Sequence, residues 1–169
     1  MRALGQGSVS SLLKIILDVV YAALWVGLDA IGLLVLAAIL LAFDGDLMSR
    51  LAGGMSAPML AGGLLAAGLY AVGVLVIVDR LRRIFTTLTA GDPFHPDNVR
   101  RLRIISLALA ALELVRYLVV ALSAWMPHGV RQVEPSLNLT AWFSVLVVFV
   151  LAEVFREGAR LRREAELTI

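Results

Sequence analysis

Four long apolar stretches divide the chain. They run from about residue 17 to 43, 59 to 78, 104 to 126 and 139 to 154, and each is rich in Leu, Val, Ala and Ile. A helix needs about 20 apolar residues to cross a bilayer, whereas the strands of a membrane barrel alternate polar and apolar positions. The stretches do not alternate in this way. The pattern therefore predicts an all-α, polytopic membrane protein with four transmembrane helices in a bundle.

The composition agrees with this prediction. Of the 169 residues, 60% are hydrophobic and 17% are charged, whereas an average soluble domain is about half apolar and about a quarter charged. A soluble chain of this size buries only about 70% of its unfolded surface, so the apolar excess must face lipid. The absence of cysteine excludes a disulfide scaffold and a thiol-ligated metal centre.

The sequence predicts a single domain. Turn-forming sequences such as Gly91-Asp92-Pro93 separate the spans, and no biased linker interrupts them. We predict a single four-span domain over residues 1–169, with a loop at 79–103 and a tail at 155–169. The first apolar run is longer than the core of a signal peptide, about 7 to 15 residues, so we expect it to be a retained helix.

The distribution of basic residues predicts the orientation of the spans in the membrane. Twelve of the fifteen lysines and arginines lie on one side of the predicted spans, and Arg50 and Arg131 lie on the other. Cytoplasmic loops carry the positive excess, so both termini, the loop and the tail are predicted to be cytoplasmic. The twelve are Arg2, Lys14, Arg80, Arg82, Arg83, Arg100, Arg101, Arg103, Arg156, Arg160, Arg162 and Arg163.

The predicted cytoplasmic segments are helical in pattern. After residue 78 the apolar positions Leu81, Ile84, Phe85 and Leu88 recur at helical spacing, which predicts an amphipathic extension of the second helix. Gly91 is suited to end that helix. Further along, Pro96 is suited to begin the third helix inside the cytoplasm. Opposite charges at helical spacing, such as Arg160 and Glu164, predict a short exposed tail helix.

Two interpretations of these basic segments stay open. They can set the orientation of the spans and attract anionic membrane lipid, or they can form a docking surface for a soluble partner. The arginines flank spans and carry no recognisable DNA-binding motif, so direct nucleic-acid binding is not expected.

Ionisable residues inside the spans form a second candidate site. Asp29 lies near the middle of the first span, and Glu113 and Arg116 lie about midway along the third at i, i+3 spacing. Because such groups are costly in lipid, they are functional candidates by default, and the three could form an intramembrane polar cluster. The alternative is a structural ion pair that fixes the register of the helices.

Signatures of catalysis are missing from the sequence. His95 and His128 are predicted on opposite sides of the membrane, and no serine lies in a G-x-S-x-G turn. We therefore expect no enzyme activity, no metal and no cofactor. The second span is rich in Gly and Ala, for example at Gly62, Gly68 and Gly73, which predicts close packing against the first helix.

Two segments resemble a known family. They are Gly91-Asp92-Pro93-Phe94 with Asn98-Val99-Arg100-Arg101-Leu102-Arg103, and the C-terminal segment from Glu153 to Ile169. Both resemble motifs of the domain of unknown function 2975 family, small bacterial membrane proteins with four spans. His95 departs from the pattern, because a small hydroxyl residue would be expected to cap the helix there.

The resemblance implies a protein binding partner and does not imply a chemical reaction. Members are often encoded beside a small helix–turn–helix regulator, which implies that the membrane protein docks that regulator. Our leading hypothesis is a binding or signalling protein of the bacterial inner (plasma) membrane. Phe94 and Phe155 would be apolar anchors at its docking surface. The polar contacts would be Asn98, Arg101, Glu157 and Arg162.

Other interpretations stay open. Asn98, Arg101 and Glu157 could simply tie the loop to the tail. The chain could instead be a small transporter or ion-coupled permease that uses Asp29 with Glu113 and Arg116, working as a homo-oligomer because four helices enclose little pathway. It could also be an accessory or immunity-type subunit that binds another membrane protein through its second span.

The predicted orientation can be tested with single cysteines, since the chain has none of its own. An impermeant thiol reagent added to intact cells should label Ser136→Cys and leave Thr87→Cys unlabelled until the membrane is opened. The reverse result would contradict the assignment of loop and tail to the cytoplasm.

Overall fold

Four long helices make up most of the computed structural model, which describes residues 7–41, 57–123 and 136–167. They are α1 (Gly7–Leu41), α2 (Ala57–Thr89), α3 (Pro96–Ser123) and α4 (Leu139–Glu166). By length and composition each is able to cross a membrane. The described residues include no strand, which confirms the all-α prediction. The predicted span ends at Phe43 and Met126, and the loop residues Arg50 and Arg131, lie outside the described residues.

The helices pack in chain order. Within the described residues, α1 packs on α2, α2 on α3 and α3 on α4. Small residues of α2 serve both of its neighbours: a Cβ on Gly68 would contact Ile31 of α1 at 3.6 Å, and one on Gly73 would overlap Leu112 of α3. The first two helices pack together as predicted, with Gly68 at their contact, but Gly73 faces α3 and a Cβ on Gly62 would meet nothing within 4 Å. Exposed apolar side chains such as Leu33 and Phe143 cover the outer faces, as expected for contact with lipid.

The main apolar core lies where the spans of α2, α3 and α4 join one end of the bundle, which we call the arginine-rich end (residues 79–103 and 153–167). Ile84 of α2, Leu102 and Ile105 of α3 and Ala152 of α4 form one buried cluster. Further apolar side chains pack around it: Ile77, Leu88, Leu109, Val148 and Phe155. This cluster joins α2, α3 and α4 at the junction of their apolar stretches with the arginine-rich end.

The extension of α2 ends as the sequence predicts. Helix α2 continues to Thr89, and Gly91 then adopts φ +81°, a left-handed conformation that suits glycine. The N–H of Gly91 donates to the carbonyl of Leu88 at 3.1 Å, and the N–H of Asp92 donates to the carbonyl of Thr87 at 3.0 Å. These two bonds are the Schellman arrangement that closes a helix C-terminus.

Helix α3 begins at Pro96, also as predicted, and His95 caps it. The Nδ1 atom of His95 accepts a hydrogen bond from the backbone N–H of Asp97 at 3.2 Å. The imidazole thus performs the role for which a small hydroxyl residue was expected, because a ring nitrogen is also an acceptor.

Helix α4 differs from the prediction. The fourth span and the expected short tail helix form one continuous helix of 28 residues. The side chain of Asn138 caps its start by accepting from the N–H of Ala141 at 3.1 Å. Because no proline or glycine pair interrupts residues 150–166, nothing in the backbone stops the helix where the apolar stretch ends.

Helix α1 is fastened to α2 by a charged contact near the arginine-rich end. The Nε atom of Arg82 lies 2.5 Å from a carboxylate oxygen of Asp18, and its guanidinium lies 4.3 Å from the centre of the Tyr21 ring. The ion pair and the cation–π contact act on the same guanidinium. They fix the register of the two helices.

The left-handed turn predicts a stability change. Gly91→Ala should lower the free energy of unfolding in detergent by about 1–2 kcal/mol, because a Cβ disfavours positive φ. Gly27→Ala in α1 is the control: a Cβ there meets nothing within 4 Å, so its stability should be unchanged or higher. Chemical denaturation of both variants checks this. Equal losses in the two would contradict it.

Candidate functional site

A fully buried asparagine lies where α3 approaches the end of α2. Asn98 has no exposed surface, and its Nδ2 group donates to Thr87 Oγ1 at 2.8 Å and to the carbonyl of Pro93 at 3.0 Å. The Thr87 hydroxyl in turn donates to the carbonyl of Ile84 at 2.8 Å. One amide therefore joins α2, the loop and α3.

Arg101 extends this network. Its Nη1 atom donates to Asn98 Oδ1 at 2.9 Å and to the backbone carbonyl of Arg83 at 3.0 Å. The side chain of Arg101 is 19% exposed. Charge-assisted bonds of this kind are stronger than neutral ones, so Arg101 holds the start of α3 against the last turns of α2.

The loop is also fastened to α4, through an aromatic contact. The rings of Phe94 and Phe155 lie 5.7 Å apart between centroids. Phe94 rests on Gly158, where an added Cβ would lie 2.6 Å from the nearest ring carbon. The absence of a side chain at residue 158 is therefore what lets the ring approach the helix.

A salt bridge completes the attachment. Arg162 Nη1 of α4 donates to Asp92 Oδ1 at 2.5 Å. Both side chains are partly exposed, so the bridge adds little by itself, typically under about 1 kcal/mol. We call the whole assembly the corner: loop residues 90–95, Asn98 and Arg101 of α3, and Phe155, Gly158 and Arg162 of α4.

A groove runs beside the corner, between the start of α3 and the tail of α4, with a volume of about 450 Å³. Glu157 and Arg160 pair across one helical turn at 2.8 Å, whereas Arg163 forms no ion pair with any residue that the structure describes. The lining of this tail groove combines apolar and charged side chains: Pro96, Val99, Arg156, Glu157, Ala159, Arg160 and Arg163.

The structure brings most of the predicted docking residues together, but in contact with one another. Asn98 is inaccessible to a partner and Arg101 nearly so. Phe94 is 39% exposed and packs on α4. Of the six, Glu157 lines the tail groove.

Three residues that the sequence analysis did not select are important here. Gly158 lies inside a recognised motif, and its lack of a side chain was the available signal. Thr87 carried no signal, because its partner Asn98 is 11 residues away in the sequence. Arg163 was counted only among the basic residues of the tail.

The second predicted site is only partly assembled. Glu113 is 6% exposed and accepts from Arg116 Nη2 at 2.5 Å, and the same nitrogen donates to the carbonyl of Ser136 at 2.8 Å. Asp29 lies on α1, is exposed, and forms no ion pair with any described residue. The pair of Glu113 and Arg116 therefore forms without Asp29.

Four helices that are long and apolar enough to cross a membrane indicate a small multi-pass membrane protein. The chain belongs to the DUF2975 family, described as proteins of unknown function, whose family model matches residues 54–169. This confirms the resemblance, and the match spans α2, α3 and α4. No curated protein and no solved structure matches the chain.

The contact of Phe94 with Gly158 predicts energetic coupling. Phe94→Ala and Gly158→Ala should each lower stability by about 1–3 kcal/mol, the first by leaving a cavity and the second by overpacking. The double variant should be about as stable as Phe94→Ala alone, because the new methyl group then has space. Unfolding free energies of the four proteins in detergent give the coupling.

The matched control pairs Phe94→Ala with Gly27→Ala, which is distant from the ring and should combine additively. Simple additivity in the first pair would show that the ring does not rest on Gly158.

Proposed function

We propose that the chain is a membrane-anchored binding protein of the bacterial inner membrane, without catalytic activity, that docks a soluble helix–turn–helix transcriptional regulator. The docking surface is the tail groove at the arginine-rich end, on the predicted cytoplasmic side. The observation that carries this proposal is the groove itself, which lies beside a corner that is fastened on both sides.

The chemistry of the tail groove favours a helical segment of the partner. Val99, Pro96 and Ala159 contribute apolar surface, and arginines contribute charge around it. An amphipathic helix that lays its apolar side into such a groove is a common mode of peptide recognition. Acidic residues along the edges of that helix would face the arginines.

Arg163 is suited to be the principal contact for such acidic residues. Arg160 is shared between Glu157 and Glu164 at 2.8 and 3.3 Å, so much of its charge is already balanced. Within the described residues, Arg163 forms no ion pair that a partner would have to break. A partner carboxylate would gain a charge-assisted bond there without displacing another.

The corner residues take a positioning role in this proposal. Asn98 and Arg101 set the distance between α3 and α2, while Phe94 and Arg162 set the distance between the loop and α4. Glu157 remains a direct contact. The loop and tail are tied together by Phe94 and Arg162, and not by Asn98, Arg101 and Glu157 as one interpretation of the sequence expected. This tie shapes the groove.

We carry no second candidate function. Transport through the spans would use Asp29 together with Glu113 and Arg116, and these three residues do not meet within the described structure. The carboxylate of Glu113 is paired within its own helix, which is sufficient to satisfy it structurally.

Blocking the groove tests the proposal. The tagged protein is extracted from native membranes in mild detergent, and captured proteins are identified by mass spectrometry. A small DNA-binding protein should be captured by the original chain and lost from Ala159→Trp, because the new indole occupies the groove. Leu161→Trp adds the same side chain at an exposed position outside the groove and should retain the partner.

Asn98→Ala with Arg101→Ala should also reduce capture, by loosening the corner. Capture of the same regulator by Ala159→Trp as by the original chain would exclude the groove as its docking site. Failure of every variant and of the original chain to capture a DNA-binding protein would contradict the proposed function.

A further inference from the structure

A second cavity lies on the other side of α3, between its first turns and the end of α2. Its volume is about 230 Å³, compared with about 30 Å³ for one water molecule in the liquid. Four of its six lining residues are arginines. The lining consists of Arg80, Arg83, Asp97, Arg100, Arg101 and Ile104.

The positive charge of this arginine cavity exceeds the negative charge around it. Asp79 lies 3.6 Å from Arg80 and 3.0 Å from Arg83, so one carboxylate serves two arginines. Asp97 lies 3.9 Å from Arg101. Two carboxylates thus face four guanidinium groups, which leaves a net positive charge for an anion to balance.

Two of the arginines retain unused donors. The Nε atom of Arg80 is buried and has no hydrogen-bond partner. Arg100 is exposed and forms no ion pair with any residue in the described ranges. A buried donor without an acceptor is costly and unusual in a folded protein. Arg80 and Arg100 both line the cavity, and an anion with several oxygens would supply acceptors for their guanidinium groups there.

The position of the cavity indicates the kind of anion. Arg80 lies two residues beyond the apolar stretch of the second span, and Ile104 begins that of the third. The cavity therefore lies at the depth where the hydrocarbon core ends and lipid headgroups begin. Phosphate groups are concentrated at this depth, and arginine binds them with paired, directional hydrogen bonds.

We propose that the arginine cavity is a specific binding site for a phosphate group, with Arg80 and Arg100 as its principal ligands. The headgroup of an anionic phospholipid supplies that group in the membrane. Arg83 and Arg101 are held by Asp79 and by Asn98 and shape the walls. The site is separate from the tail groove and does not depend on its role.

Native mass spectrometry of the purified protein tests the site. The protein in detergent is titrated with phosphatidylglycerol, and with phosphatidylcholine as the lipid of no net charge. One phosphatidylglycerol should be retained preferentially. The double variant Arg80→Gln, Arg100→Gln should bind it about tenfold more weakly, because hydrogen bonds to charged groups are lost.

The control removes the same charge elsewhere. The control variant Lys14→Gln, Arg103→Gln changes two basic residues that do not line the cavity. Arg103 is a close match for Arg100, because it lies only three residues away in α3. This control should bind phosphatidylglycerol like the original protein. An equal loss in both double variants, or equal retention of the two lipids, would overturn the proposal, since general charge attraction would then explain the binding.

A third arm separates the two sources of phosphate. Inorganic phosphate is added at increasing concentration, with chloride at equal ionic strength as the reference. Retention of the lipid throughout supports a headgroup site. If added phosphate displaces the lipid from the original protein but has no such effect on the double variant Arg80→Gln, Arg100→Gln, the site is the same and its ligand is a soluble phosphate.

Discussion

The buried amide of Asn98 is the interaction on which the arginine-rich end depends. It has no access to water, so each of its polar atoms must find a partner in the protein. Thr87, Pro93 and Arg101 provide those partners. Removal of one partner would leave a buried polar group unsatisfied, at a cost of about 1–3 kcal/mol. The end of α2, the loop and the start of α3 therefore keep one arrangement.

The first turns of α3 organise two different surfaces because of that arrangement. Val99 faces the tail groove, whereas Arg100 and Arg101 line the arginine cavity on the opposite side of the helix. Neighbouring positions on a helix point about 100° apart, so a short segment serves both. A fixed α3 start thus presents the tail groove on one side and the arginine cavity on the other.

The sequence predicted the elements better than it predicted the site. Apolar runs gave the four helices, and Gly91 and Pro96 gave the turn between α2 and α3. Asn98 was misleading, because an asparagine among arginines reads as a solvent-exposed position. Its burial depends on contacts with Thr87 and with the loop, which no local pattern encodes. The separation of Asp29 from Glu113 likewise depends on which helices are neighbours, and among the described residues the main packing partner of α1 is α2.

The seat of Phe94 on Gly158 has a consequence for shortened chains. The residues of α4 described above as contacting the loop, namely Phe155, Gly158 and Arg162, follow the last apolar stretch. A chain cut before residue 155 would still hold all four hydrophobic stretches. The loop at residues 90–95 would then lack its contacts with Phe155, Gly158 and Arg162 of α4. The four apolar stretches and the residues of α4 that fasten the loop therefore occupy separate parts of the sequence, so a chain can hold all its predicted spans and still lack the corner.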